Sequence, residues 1–210
     1  MAGSIRFLFD FVSPYSYLAW KRIHALAERH QASVEAVPVV LGAILHARGV
    51  RPAVEIPVRR AYLIRDLVRQ AHLYGIPLVP PPVHPFNPLL ALRVASLPMG
   101  DEARRRLIDA LFDAAWGRGE ALTDRAVVAR VAAEQGLGDD ALVAAESAET
   151  KARLRAATDE AVAAGVFGAP TMIAGGELFF GNDGMAHLER FLDGEDPVTP
   201  EIVARFGVWA

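Results

Sequence analysis

The spacing of apolar positions changes twice along the chain. Ile5 to Phe11 (IRFLFDF) is a short aromatic and apolar run that predicts a buried strand. Ser13-Pro14-Tyr15-Ser16 follows, and then YLAWKRIHALAERH, in which Leu18, Ile23 and Leu26 fall at helical spacing with no Gly or Pro among them. Pro14 suits the first helical turn, where a missing N–H leaves no bond unmade. Ser33 to Leu41 (SVEAVPVVL) reads as a second strand. A β-α-β start favours parallel pairing through a right-handed crossover.

From Pro57 the pattern is helical. Ile64, Leu67, Val68 and Ala71 stand at i, i+3, i+4 and i+7, with Arg59, Arg60, Arg65 and Arg69 largely elsewhere. Gly75 and Pro77 end this run, and Pro77 to Pro88 is a proline-rich, structured loop. Further helical runs cover Leu89–Leu97, Asp101–Trp116, Asp124–Gln135 and Asp139–Ala164, with Thr123 a candidate N-cap for the third. Strand patterns return at Thr171–Ala174 and Glu177–Phe180, around Gly175-Gly176, and predict a β-hairpin. Asn182 or Asp183 is placed to cap a last amphipathic helix carrying Met185, Leu188, Phe191 and Leu192 on one face. Thr199-Pro200 opens one more short helix. The two ends together make an α/β, thioredoxin-like sheet, and the middle is an all-helical insertion. The expected division is a discontinuous domain of residues 1–55 and 165–210 with an inserted domain of residues 56–164.

Composition narrows the function. Of 210 residues, 52% are apolar and 22% charged, which fits a folded, soluble protein. The net charge of −3, with no basic block, gives nucleic acid nothing to bind. No stretch approaches the ~18 apolar residues of a membrane span. Asp10 interrupts the first apolar run before it resembles a signal peptide, so the expected location is the cytoplasm. Cysteine is absent, which excludes disulfides, thiolate metal sites and a cysteine nucleophile of the protein's own. The six histidines never pair at ligand spacing, so no metal site is expected. His84, in the proline-rich loop, is the one to watch.

Three places carry candidate chemistry. Ser13-Pro14-Tyr15-Ser16 sits where a strand ends and a helix begins, so free N–H groups and the positive end of the helix dipole converge there and favour an anion. If that anion is a thiolate, its thiol pKa falls from the free value of ~8.5. Capping the helix is the commoner job for a serine in the place of Ser13, and both roles stay open. Serine as a direct nucleophile finds no His–Asp partnership and no GxSxG elbow. Gly168-Ala169-Pro170-Thr171 precedes a strand, and its backbone is either an ordinary strand entry or a partner for a peptide-like ligand. Gly181-Asn182-Asp183-Gly184 offers a cap, or a carboxylate for an ammonium group. Arg59 and Arg60 are a solvated basic pair or a grip for a ligand carboxylate.

FDFVSPYSYLA (Phe9 to Ala19), GVFGAPT (Gly165 to Thr171) and FFGNDGMAHLERFL (Phe179 to Leu192) resemble the 2-hydroxychromene-2-carboxylate isomerase family. YGIPL (Tyr74 to Leu78) and HPFNPLLALR (His84 to Arg93) extend the resemblance through the middle. That family is related to kappa-class glutathione transferases, in the DsbA-like branch of the thioredoxin superfamily. The resemblance implies a DsbA-like fold with a helical insertion, usually a homodimer, using glutathione as cofactor and a small aromatic substrate. It implies that Ser13, with Pro14 and Tyr15 in its turn, supports the glutathione thiolate. Ala169, before the family's cis-proline at Pro170, would pair by its backbone with the glutathione peptide, and Asn182 and Asp183 would hold the γ-glutamyl end. Arg59 stands where relatives carry a lysine that contacts glutathione. Two positions depart from the pattern: Val50 where relatives commonly carry asparagine, and Gly184 where the last motif often carries arginine.

The reaction implied is reversible isomerisation of 2-hydroxychromene-2-carboxylate to trans-o-hydroxybenzylidenepyruvate by transient addition of a thiolate to the conjugated enone. A kappa-class-like transferase that releases a conjugate needs the same site. A non-catalytic thioredoxin-like binding module is the alternative from another class, with Val50 its best argument. Disulfide exchange is disfavoured, because Ser13 and Ser16 occupy both sulfur positions of a CxxC motif.

Overall fold

The computed structural model describes residues 3–138 and 140–207. Met1, where a targeting segment would begin, and Asp139, where the last long helical run was expected to begin, lie outside the described residues. Among the described residues, four strands form one sheet in the order β2-β1-β3-β4. Strands β1 (Ser4–Phe9) and β2 (Ser33–Pro38) are parallel, joined across α1 (Pro14–Arg29). β3 (Thr171–Ala174) runs antiparallel to β1, and β4 (Glu177–Phe180) antiparallel to β3. This is a thioredoxin-like α/β fold in which the helical block enters between β2 and β3.

Period-two alternation in β1 sends its side chains to two different cores. Ile5, Phe7 and Phe9 face one side and pack with α1 and with α4 (Leu89–Ala95), α5 (Asp101–Phe112) and α6 (Arg125–Glu134). Phe9, Phe11 and Phe112 meet there, Phe9 lying 5.2 Å from Phe11 and 5.5 Å from Phe112, in the tilted arrangements aromatic rings favour. Leu8 faces the opposite side and packs with Val37, Val39 and Ile44, and with Ala161 from α8 (Ala148–Ala163). Arg6, on the same side as Leu8, pairs with Glu160 of α8 at 2.9 Å. Helices therefore cover both faces of the sheet, and one core runs unbroken from sheet to helical block. No helix among the described residues is long and apolar enough to cross a membrane.

Several elements differ from their sequence patterns. The second strand stops at Pro38, and Leu41–Ala47 forms a helix, α2. A continuous apolar run such as VPVVL does not distinguish strand from buried helix by period. The expected run to Ala164 is two helices, α7 (Ala141–Ala145) and α8, because the Ser147 hydroxyl accepts from Thr150 N–H and restarts the chain. α5 ends in a π-turn over Asp113–Gly117. Asp124, not Thr123, caps α6, its carboxylate accepting from Ala126 N–H at 2.8 Å. α3 (Pro57–Leu73) buries only Ala71 of the four residues in its predicted apolar stripe, and Ile64 and Val68 are 58% and 56% exposed. The side α3 turns toward α1 carries Asp66 and Gln70 instead.

Candidate functional site

Ser13 caps α1 from an extended backbone, φ −89° and ψ 112°, and its Oγ accepts from Ser16 N–H at 3.2 Å. The same hydroxyl donates to the carbonyl of Ala169 at 3.0 Å. Ser13 is therefore both the cap and the contact between the helix start and the loop before β3. The Ala169-Pro170 peptide bond is cis. Pro170 O accepts from Gly181 N–H at 3.0 Å, which ties that loop to the Gly181–Gly184 turn. In the first turn of α1, Pro14 has no N–H and Ser16 N–H is taken, so Tyr15 N–H is left without a partner among the described residues. A free N–H and a hydroxyl at the positive end of a sixteen-residue helix form an anion seat. Ser16, in the second sulfur position, is fully buried and its hydroxyl has no partner among the described residues.

Three further side chains hold this turn, of which the sequence had singled out only His84. Asp10 is buried, and its two oxygens accept from Val12 N–H at 3.0 Å and Leu41 N–H at 2.9 Å. Burial pushes its carboxyl up to about 7, outweighing both N–H bonds, which pull the other way. Trp116, presented by the π-turn, donates Nε1–H to Phe11 O at 2.8 Å. His84 Nε2 lies 3.0 Å from Val12 O. A carbonyl only accepts, so Nε2 carries the proton, and burial lowers the imidazole pKa, which keeps His84 neutral at pH 7. The proline-rich loop is thus brought against the residue before Ser13. A lone carboxylate ending an apolar strand was the one available signal for Asp10, and the Trp116 bond had none.

A chain of hydrogen bonds joins the expected site residues through α3. Tyr15 Oη donates to Asp66 Oδ2 at 2.7 Å, and Gln70 Nε2 donates to the same oxygen at 2.7 Å. Asn182 Nδ2 donates to Gln70 Oε1 at 2.6 Å, and Arg22 Nη1 donates to Asn182 Oδ1 at 2.8 Å. The Arg22 guanidinium lies 3.6 Å from the centre of the Tyr74 ring. Burial, and then the bond to Asp66, push the Tyr15 phenol well above its usual range, so it stays protonated and donating. Asn182 is 2% exposed with both ends of its carboxamide engaged. It does not cap α9 (Met185–Leu192), whose start at Gly184 has no side-chain cap, and neither does Asp183. Asp183 is exposed and makes no ion pair among the described residues. A Cβ at Gly184 would sit 2.4 Å from Phe180 O, so the turn carrying Asn182 and Asp183 closes too tightly for any side chain there.

Arg59 is exposed near the start of α3 and has no carboxylate partner among the described residues. It lines a shallow depression of about 310 Å³ with Ala53, Val58, Tyr62 and Leu63. Seven residues separate it from Asp66, which puts both on one side of the helix about 10 Å apart along its axis. Val50 is 48% exposed in the loop after α2. Ser13, Pro14, Tyr15, Ala169 and Pro170 are therefore assembled directly, Asn182 and Asp183 adjoin them through the bonded chain, and Arg59 stands about two helical turns from Asp66 with no bond to any of them.

Residues 4–193 match the model of the DSBA-like thioredoxin domain. The chain is 34% identical to a 2-hydroxychromene-2-carboxylate isomerase from Pseudomonas putida, over 88% of this chain and 92% of that one. It is 26% identical to a glutathione S-transferase kappa 2 from Caenorhabditis elegans, over 90% and 91% of the two chains. A solved 2-hydroxychromene-2-carboxylate isomerase superimposes with a TM-score of 0.85 at 30% identity, covering 90% of this chain and 94% of that one.

Proposed function

The chain belongs to the 2-hydroxychromene-2-carboxylate isomerase family, isomerases built on a DSBA-like thioredoxin domain, and from that membership we propose that it uses bound glutathione to interconvert 2-hydroxychromene-2-carboxylate and trans-o-hydroxybenzylidenepyruvate. The observation that carries the cofactor is the pairing of a buried serine hydroxyl with a free N–H at the start of α1. Both donors suit a sulfur anion, and Tyr15 N–H has no competing partner. Glutathione supplies the nucleophilic sulfur for reversible addition to the enone, which frees rotation about the former double bond.

The remaining work belongs to this chain's residues. Ser13 turns its hydroxyl toward the sulfur and lowers the thiol pKa together with the helix dipole. Ala169 lends its backbone to the peptide part of the cofactor, beside Pro14 and the cis Pro170. Asp183 offers a carboxylate to the γ-glutamyl ammonium, and Asn182 contributes by its backbone, since its side chain is engaged inside the protein. Arg59 faces the glycine carboxylate. Neutral His84 and Trp116 support the turn before Ser13, their rings meeting edge to face 5.4 Å apart. The reading also includes a cytoplasmic location and a homodimer, in which a second copy covers the exposed Val58, Tyr62, Val68 and Leu73 of α3.

The test is a spectrophotometric assay of 2-hydroxychromene-2-carboxylate with purified protein, with and without glutathione. Glutathione-dependent equilibration with no covalent adduct by mass spectrometry supports the isomerase. Accumulation of a conjugate establishes the transferase, the outcome toward which the kappa-class likeness points.

A further inference from the structure

The bonded chain between Arg22 and Asp66 runs in one direction. A guanidinium has donors only, and an ionised carboxylate has acceptors only. Arg22 therefore faces Asn182 Oδ1, which leaves Asn182 Nδ2 to donate to Gln70 Oε1. Gln70 then has only its Nε2 to offer Asp66, and Tyr15 must donate to the same oxygen. A cation on α1 and an anion on α3 thus fix the orientation of two carboxamides between them. The partners lie far apart in sequence: 160 residues separate Arg22 from Asn182, and 112 separate Gln70 from Asn182.

We propose that Asp66 and Gln70 are positioning residues of the glutathione site: by their bonds they hold Tyr15, at the start of α1, and the Asn182–Asp183 turn in fixed places relative to one another. This rests on the glutathione reading above and adds to it that the helical insertion sets how tightly the cofactor is held. Tyr15 carries the free N–H, so the tether on its phenol holds in place the side chain that stands beside that donor. Asp183 follows Asn182 in the chain, so the carboxylate aimed at the γ-glutamyl end is located by Gln70 and Arg22. A polar chain with every member paired admits one arrangement, whereas a partly paired one admits several.

The direction of the chain yields a test by rescue. In Asn182→Asp, both oxygens at position 182 accept, so Gln70 must turn its Nε2 toward them. Its Oε1 then faces the Asp66 carboxylate, acceptor against acceptor. Adding Asp66→Asn puts an Nδ2 where Oδ2 stood, and its two protons meet Gln70 Oε1 and Tyr15 Oη, the phenol now accepting, which removes the clash. Glutathione affinity of the full-length protein is measured by calorimetry for wild type, both single variants and the double variant, with thermal unfolding of each. Asn182→Asp is expected to weaken glutathione about tenfold in the wild-type background and less than about threefold in the Asp66→Asn background. Gln70→Leu is expected to raise the KM for glutathione while kcat at saturating glutathione and the pH profile of the bound thiol, which reports Ser13, hold. Equal losses from Asn182→Asp in both backgrounds, or a Gln70→Leu protein that unfolds earlier yet binds glutathione as wild type does, would overturn the positioning role. A wild type that binds no glutathione overturns the cofactor reading and this proposal together, an outcome distinct from one in which wild type and variants bind equally.

Discussion

The Ser13 hydroxyl donates to the carbonyl of Ala169 at 3.0 Å, joining the start of α1 to a loop 156 residues away. A serine hydroxyl has one proton, so support of a bound sulfur takes that proton from Ala169. The carbonyl released in this way is then free to accept from a peptide N–H. The two contacts expected of the cofactor are therefore linked through a single hydrogen atom.

Ser16 separates the two serines by role. Its buried hydroxyl lacks a partner among the described residues, and an unmade hydrogen bond of this kind costs about 1–3 kcal/mol. Ser16→Ala is expected to leave the pKa of the bound thiol unchanged and to unfold at equal or higher urea, stabilised by up to ~1 kcal/mol. Destabilisation in the urea midpoint would show that the hydroxyl has a partner after all.

Asp10 gives stability a pH dependence of known sign. Its carboxyl is raised from 3.8 to about 7 by burial. A raised folded-state pKa adds stability that is fully present below about pH 4 and is lost as pH rises through 7. Asp10→Asn has no such titration. The stability difference between wild type and variant is expected to be largest near pH 4 and to narrow toward pH 8, as read from urea melts across that range. A difference that widens with pH would contradict the assignment.

Trp116→Phe removes the donor to Phe11 O and leaves a buried carbonyl unpaired. A loss of about 1–3 kcal/mol is expected in chemical unfolding. Trp116 also braces the turn before Ser13, so the bound thiol should ionise at a somewhat higher pH in this variant. A change in stability alone would confine Trp116 to a structural role.

The strands, the hairpin and the start of α1 were legible because their patterns are local. Ser13 and Pro14 mark the helix start, Gly175-Gly176 marks the hairpin, and Thr199 caps α10 (Pro200–Ala204) as its sequence predicts. α2 was hidden in a uniformly apolar run, and the stripe on α3 misled because that helix turns polar Asp66 and Gln70 toward its neighbour. The candidate site was legible in its ends and illegible in its supports. Ser13, Ala169 and Asp183 fall in motifs, whereas Asp66, Gln70, Arg22 and Trp116 act through contacts across 51 to 160 positions that no local pattern records. Asn182 shows the difference most plainly: the motif presents it as a ligand contact, and the fold engages its side chain internally.

The proposed function depends on glutathione sitting as a thiolate against Ser13. It is tested most directly by the ultraviolet difference spectrum of bound glutathione near the thiolate absorbance, titrated against pH, for wild type and Ser13→Ala. Ser13→Ala also loses the α1 cap, worth about 1 kcal/mol, so thermal unfolding is recorded alongside to establish that the variant is folded. The bound thiol is expected to ionise well below its solution value of ~8.5 in wild type and to return toward it in the folded variant. Glutathione that fails to bind wild type at millimolar concentration, or that ionises identically in both proteins, would contradict it.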